Sequence, residues 1–305
     1  MSMRLFISCL TVLLALTGTR ATARELSVVA TIPDLADLAK EIGGERVTVT
    51  SIAKGTMNVH AVPLKPSTLI AVSRADLFLQ MGLSLEHAYA PGLLQRSRNP
   101  RIQPGTTGFV NCSEGWEPLD VPESLSRSRG TDLHPLGNPH FNLDPRGGKH
   151  IADHILSALV RSDPAGAKYY GDRYALWLKA YQAAMTRWTK LTKRLRGTKL
   201  VTYHRDFTYF LRFHGIEQVD SLEAKPGVPP KPKDLLRLIE RIKSEEIGVI
   251  LTALWSNNKS VRFVAEKTGA TIVEAPIMVG GVAGADSWLK MMDKLHTLLA
   301  DALLD

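Results

Sequence analysis

Residues 165–196 read AGAKYYGDRYALWLKAYQAAMTRWTKLTKRLR, and the fold turns on this run. Tyr170, Tyr174, Trp177, Tyr181, Met185, Trp188 and Leu191 recur at spacings of three and four, which lines one face of a helix with large side chains. Asp163-Pro164 ahead of it supplies an N-cap and a proline suited to the first helical position. Lys190, Lys193, Arg194 and Arg196 crowd the last turns, where cations complement the helix dipole, and Gly197 ends the helix. At 1.5 Å per residue such a helix is about 48 Å long. That exceeds what one small lobe needs. Either the helix packs along a single core or it is a strut between two lobes, and strand–helix alternation on both sides of it favours the strut.

Upstream, a β-rich run at 25–32 leads into a helix opened by Pro33-Asp34 and closed by Gly43-Gly44. A second strand at 46–52 alternates with period two. A turn-rich loop, a short helix at 67–73 and a third strand at 76–81 follow, then a helix at 86–96 and a fourth short strand. Residues 111–139 form a polar loop, and a helix at 147–161 leads to the strut. Downstream, strands at 199–203, 216–220, 247–251 and 271–273 alternate with helices at 207–214, 233–245, 260–267 and 286–304. The expectation is therefore α/β: two lobes, each with a parallel four-stranded sheet flanked by helices, joined by one long rigid helix. The lobes would span 24–163 and 198–305, with the linking helix at 164–197.

The 305 residues are enough for two such lobes, and with 44% hydrophobic and 22% charged residues the composition is that of an ordinary globular protein. The formal charge of +8 is scattered, with no run of five or six, which argues against a nucleic-acid stripe. Residues 1–23 read as a targeting segment: Arg4 begins it, residues 5–16 are apolar but too short to span a membrane, and Ala21-Thr22-Ala23 fits cleavage before Arg24. Cys9 lies within the apolar core, too early for a lipoprotein cysteine. Only Cys112 remains, so no intramolecular disulfide can form. The expected location is soluble in a periplasm.

Three of the nine histidines stand apart. His60, His140 and His204 each follow a strand end or sit in a proline-flanked turn. His87, His150, His154, His214 and His296 fall in helical patterns, and His134 lies in the polar loop; these read as surface or satisfied core residues. Taken singly, each of the three also reads more readily as structural. Together they offer three neutral imidazoles with one open position, which suits Zn²⁺, and a cleft collects ligands from distant loops.

At these residues the chain resembles the substrate-binding proteins of zinc and manganese ABC transporters, the TroA-like or cluster A-I family. The segments that carry the resemblance are His60-Ala61-Val62-Pro63-Leu64-Lys65-Pro66-Ser67 with Ala75-Asp76-Leu77 after it, Asn138-Pro139-His140-Phe141-Asn142-Leu143-Asp144-Pro145, and His204-Arg205-Asp206-Phe207-Thr208-Tyr209-Phe210 up to Gly215-Ile216. Lys267-Thr268-Gly269-Ala270 and Asp286-Ser287-Trp288 extend it over nearly the whole chain. The resemblance implies a transported metal, Zn²⁺ before Mn²⁺, held between the lobes by His60, His140 and His204. It also implies a membrane permease as partner, with no nucleic acid and with the chain acting as a monomer. The family's fourth ligand, an Asp or Glu, falls on Pro276 here. Glu274, two residues earlier and so on the same strand face, or a water stands in for it. The residue before His60 is Val59, where some zinc members carry an acid, and the family's long His-rich loop is missing. Three imidazoles favour Zn²⁺ over oxygen-preferring Mn²⁺, although Cu²⁺ binds such a set more tightly. The competing class is an exported three-histidine zinc hydrolase. Against it, no HExxH motif occurs; Asp144 reads as a turn residue and Asp206 as a helix cap.

Overall fold

A computed structural model describes residues 25–122, 134–223, 225, 227–256 and 258–304; the targeting segment at 1–23 and part of the polar loop lie outside the described residues. Strands β1 (Leu26–Ala30), β2 (Val47–Ser51), β3 (Leu77–Gln80) and β4 (Phe109–Asn111) form one sheet in the order β2-β1-β3-β4. Strands β5 (Lys199–Thr202), β6 (Glu217–Ser221), β7 (Val249–Ala253) and β8 (Thr271–Ala275) form a second in the order β6-β5-β7-β8. Every pairing is parallel, as the alternating pattern requires. The central strand β7, Val-Ile-Leu-Thr-Ala, is buried throughout, whereas the edge strand β2 alternates buried and open positions.

Helices α1 (Pro33–Gly43), α2 (Pro66–Arg74), α3 (Ala90–Ser97) and α4 (Gly147–Ser162) belong to the first lobe. Helices α6 (Thr208–His214), α7 (Pro232–Ser244) and α8 (Asn258–Thr268) belong to the second. Between them runs α5, Ala167–Leu195, of 29 residues. It starts two residues later than the spacing predicts, because Pro164–Gly166 makes a 3-10 turn first. The Asp163 carboxylate accepts from Gly166 N–H at 3.2 Å, from the Tyr170 hydroxyl at 2.8 Å and from Arg46 Nη2 at 2.6 Å. That network ties the start of the strut to the first lobe.

The closing helix α9, Trp288–Leu304, returns along α5. Trp288 is fully buried, with ring centroids 6.4 Å from Trp177, 6.2 Å from Tyr181 and 5.9 Å from Trp188. Its indole covers Gly148 of α4, where an added Cβ would stand 2.3 Å from the ring, so only glycine lets the two helices approach this closely. The second sheet separates two cores by strand parity. Leu200, Val249, Leu251 and Val273 face α5 and α9 and join a core continuous with the first lobe. Val201 and Ile250 face α7 and α8.

Candidate metal centre

In parallel sheets, ligands gather beyond the carboxyl ends of the strands. His60 lies in the loop after β2, His140 in the loop after β4, and His204 two residues beyond β5. The two sheets bring these ends face to face. His60, His140, His204 and Asp206, all buried, each offer a ligand atom within 4.8 Å of the others'. The three histidines, distant in sequence, lie together in the structure.

Two of the histidines are set by the same local device. The Asn58 side-chain oxygen accepts from His60 N–H at 2.9 Å, and that of Asn138 accepts from His140 N–H at 3.0 Å. Each is an Asn-x-His turn in which the asparagine folds back on the backbone two residues on. The repeated Asn-x-His was a sequence signal for both positions. Asn138 also donates to the Arg205 carbonyl at 2.8 Å, which joins the His140 loop to the His204 turn across the cleft.

His204 is oriented by Glu223, just past β6. His204 Nδ1 lies 2.5 Å from Glu223 Oε2, and both side chains are buried. The carboxylate accepts a hydrogen bond from Nδ1–H, which keeps the proton on Nδ1 and the lone pair on Nε2, the arrangement that fixes tautomer and ring direction in metal-binding histidines. No local pattern marks Glu223. It reaches His204 only because β6 pairs with β5.

Asp206 departs from its sequence reading as a helix cap. Neither the 3-10 turn Arg205–Phe207 nor α6 has a side-chain cap. Both Asp206 oxygens are buried without a hydrogen-bond partner, and Oδ1 stands 3.6 Å from His140 Nε2. Burial pushes its carboxyl up to about 6, with His204 opposing the shift and Glu223 adding to it. Burial also holds His60 and His140 well below the ordinary histidine range, with neighbouring imidazoles adding to the effect. The site thus brings imidazole nitrogens together with one carboxylate, and His60, His140 Nε2 and both Asp206 oxygens have no hydrogen-bond partner. An isolated buried carboxylate is costly, and a cation placed among these atoms removes that cost.

Glu274 does not stand in as the fourth ligand. It is exposed and lines a shallow surface pocket with Val261, Arg262 and Ile272. Parity put Glu274 and Pro276 on one face, but β8 ends at Ala275, and the period-two rule does not carry past the end of a strand. Two further aromatic rings approach the cluster. The Trp255 ring lies 5.8 Å from that of His204, and the His134 ring lies 5.0 Å from that of His60.

A family model described as zinc-uptake complex component A, periplasmic, matches residues 28–302. The iron-binding protein YfeA of Yersinia pestis is 26% identical over 270 residues, covering 87% of this chain and 79% of its own length. The manganese ABC transporter substrate-binding lipoprotein PsaA of Streptococcus anginosus is 22% identical over 98% of this chain and 96% of its own. A crystal structure of ZnuA superposes with a TM-score of 0.76 at 21% identity, over 92% of this chain and 99% of that one, a likeness of fold.

Proposed function

The chain belongs to the family of periplasmic zinc-uptake components, and from that membership we propose that it captures one zinc ion between its lobes, through His60, His140, His204 and Asp206, and delivers it to the permease of an ABC transporter. As a member it is a metal-binding substrate-binding component of a transporter, not an enzyme, and the hydrolase alternative falls with that. Zinc is the finer step. The relatives' names specify iron or manganese. The donor set favours zinc: three imidazoles and one carboxylate match a tetrahedral zinc shell, whereas manganese prefers more oxygen. With Glu274 exposed, only Asp206 supplies carboxylate oxygen to the described cluster.

The observation that carries the proposal is the group of four buried ligand atoms within 4.8 Å, among them a carboxylate with no donor of its own. The rest of the reading accords with delivery. Residues 1–23 would direct export and be removed, and the chain would work as a soluble periplasmic monomer, with lobes of 24–163 and 198–305 about the helix of 164–197. Among the described residues no helix is long and apolar enough to cross a membrane.

The test is titration of the metal-free protein with Zn²⁺, Mn²⁺ and Fe²⁺ against a competing chelator, beside His60→Ala, His140→Ala, His204→Ala and Asp206→Ala. The expected result is one zinc per chain, bound more tightly than manganese or iron. Each variant should lose more than the roughly 10–100-fold that changes outside the ligand shell typically cost. Tighter manganese than zinc, or zinc binding indifferent to these variants, would refute it.

A further inference from the structure

The turn after β7 carries a ring outside the ligand set. β7 ends at Ala253, and Ser256 N–H donates back to the Ala253 carbonyl at 3.0 Å, so Trp255 stands just past the carboxyl end of the strand. Its ring centroid lies 6.5 Å from that of His60 and 5.8 Å from that of His204, with the planes inclined at 76° and 66°. Those two imidazoles are themselves 5.6 Å apart. Another ring flanks the same pair: His140, 5.1 Å from His60 and 6.0 Å from His204. An imidazole has a nitrogen lone pair to give a metal. An indole has none, since its N–H only donates. Among the described residues the Trp255 N–H has no acceptor, although it is buried. A donor left so costs free energy, so packing rather than hydrogen bonding holds the ring in place. It packs against both apolar cores and, at 6.2 Å and 90°, against Tyr203.

Resting on the function proposed above, we propose that Trp255 determines which metal is held, by filling with its ring the place beside His60 and His204 where water would join the ion. Zinc in a closed site is satisfied by four ligands, whereas manganese takes an octahedral, oxygen-rich shell. The cluster offers four ligand groups. An octahedral ion there needs further waters, each with a share of roughly 30 Å³. The four groups are already shut off from bulk water: His60 and His204 are 4% exposed, His140 3% and Asp206 0%. Trp255 is half-buried, so one part of its ring reaches solvent while another covers the His60–His204 pair. It is a wall that cannot itself ligate. Removing it admits water to the ion, which supplies the oxygen that manganese lacks here and adds nothing that zinc needs.

The test compares wild type with Trp255→Phe, Trp255→Leu and Trp255→Ala by two readouts. The first is the ratio of zinc to manganese affinity, each measured against a competing chelator. The second is the visible absorption of the Co²⁺-loaded protein, which is several-fold stronger for tetrahedral than for six-coordinate cobalt. In Trp255→Ala the affinity ratio should fall about tenfold, and the cobalt bands should weaken as water joins the ion. Trp255→Leu should move both readouts the same way, and Trp255→Phe, which keeps a ring, should move them least. A ring that only supported the fold would weaken both metals alike and leave the cobalt bands unchanged. Trp255→Leu keeps apolar packing on both cores and decides the case if Trp255→Ala does not fold. Either readout unmoved in Trp255→Leu would overturn the proposal, and so would weak, six-coordinate cobalt bands in the wild type. A wild type that binds manganese more tightly than zinc overturns the zinc reading alone, because the shift between wild type and variants still judges Trp255. A wild type that binds no metal overturns the function above and this proposal with it.

Discussion

Asp206 buries a carboxylate with no hydrogen-bond donor, a cost borne by the metal-free fold and relieved by a bound cation. The sign follows from its raised pKa. Between about 3.8, the ordinary value, and about 6 the folded chain binds a proton that the unfolded chain gives up, so this group weakens the metal-free fold as pH rises through that window. Above it the penalty is complete. Asp206→Asn should therefore raise the stability of the metal-free protein at pH 7 by about 1–3 kcal/mol in urea unfolding, while weakening zinc binding. A variant less stable than wild type without metal would show that the carboxylate has a structural partner. Glu223 acts one step further out. Glu223→Gln keeps an acceptor for His204 Nδ1–H but removes the charge that strengthens the imidazole as a donor to metal. Zinc affinity should fall about 10–100-fold in a chelator competition. An unchanged affinity would mean that Glu223 positions the ring by shape alone.

At the scale of elements, α5, α6 and α9 meet through a chain of buried side chains. His296 Nδ1 donates to the Met292 carbonyl at 2.7 Å, so His296 Nε2 is an acceptor. His214 Nε2 then donates to it at 2.9 Å, which makes His214 Nδ1 the acceptor for the Thr192 hydroxyl, also at 2.9 Å. Every proton in the chain is assigned, and both rings must be neutral. Burial, with each imidazole's neighbour adding to it, holds His214 down to about 3; burial, opposed by Met292, holds His296 down to about 4. Arg187, the one charged group that perturbs His296 from α5, adds to its shift. Depressed histidine pKa values leave stability complete above the ordinary 6.5 and remove it as pH falls toward 4 and 3, by about 1.4 kcal/mol per pH unit for each proton the unfolded chain takes up. Unfolding midpoints at pH 7, 5.5 and 4.5 should fall in that order, and His214→Phe with His296→Leu should flatten the decline. An equally steep decline in the double variant would place the acid sensitivity elsewhere. The elements themselves were legible because α5 shows a three-and-four spacing of aromatics, and the strands sit between turn residues. The site was legible only in part. His204 stands just past a strand end, and His60 and His140 sit in Asn-x-His turns, features that a linear sequence shows. Asp206 precedes a helix, where cap and ligand look alike in sequence. Glu223 and His134 owe their places to strand order and loop closure, which no local pattern encodes.

The two lobes share a core at the scale of the whole molecule. Apolar residues of the first sheet, of α5 and α9, and of one face of the second sheet form a single buried cluster. Polar links cross between the lobes beside the metal centre. Asn142, two residues past His140, donates to both Asp34 Oδ1 at 3.0 Å and the Ile277 carbonyl at 2.9 Å, and Val279 N–H donates to Asp34 Oδ2 at 3.1 Å. Asp34 itself is fully buried on the first turn of α1, and burial raises its carboxyl to about 7 against the pull of Asn142. Gly55 of the first lobe lies so near the 279–281 segment that an added Cβ would sit 2.3 Å from the Val279 carbonyl. A hinge needs a few residues that absorb backbone rotation with little packing to break. Here opening the lobes would break a continuous apolar core and these buried polar links together. Metal loading should therefore leave the lobes nearly fixed, and side chains of the cleft should do most of the adjusting. For a chain of this length the radius of gyration is about 19 Å, and small-angle scattering of metal-free and zinc-loaded protein should differ by less than about 0.5 Å. Asp34→Ala removes the link to Asn142 and Val279 while sparing every proposed ligand, and should widen that difference. A contraction of 1–2 Å on loading the wild type, on the order expected of domain closure, would mean that the shared core yields and that α5 bends rather than braces.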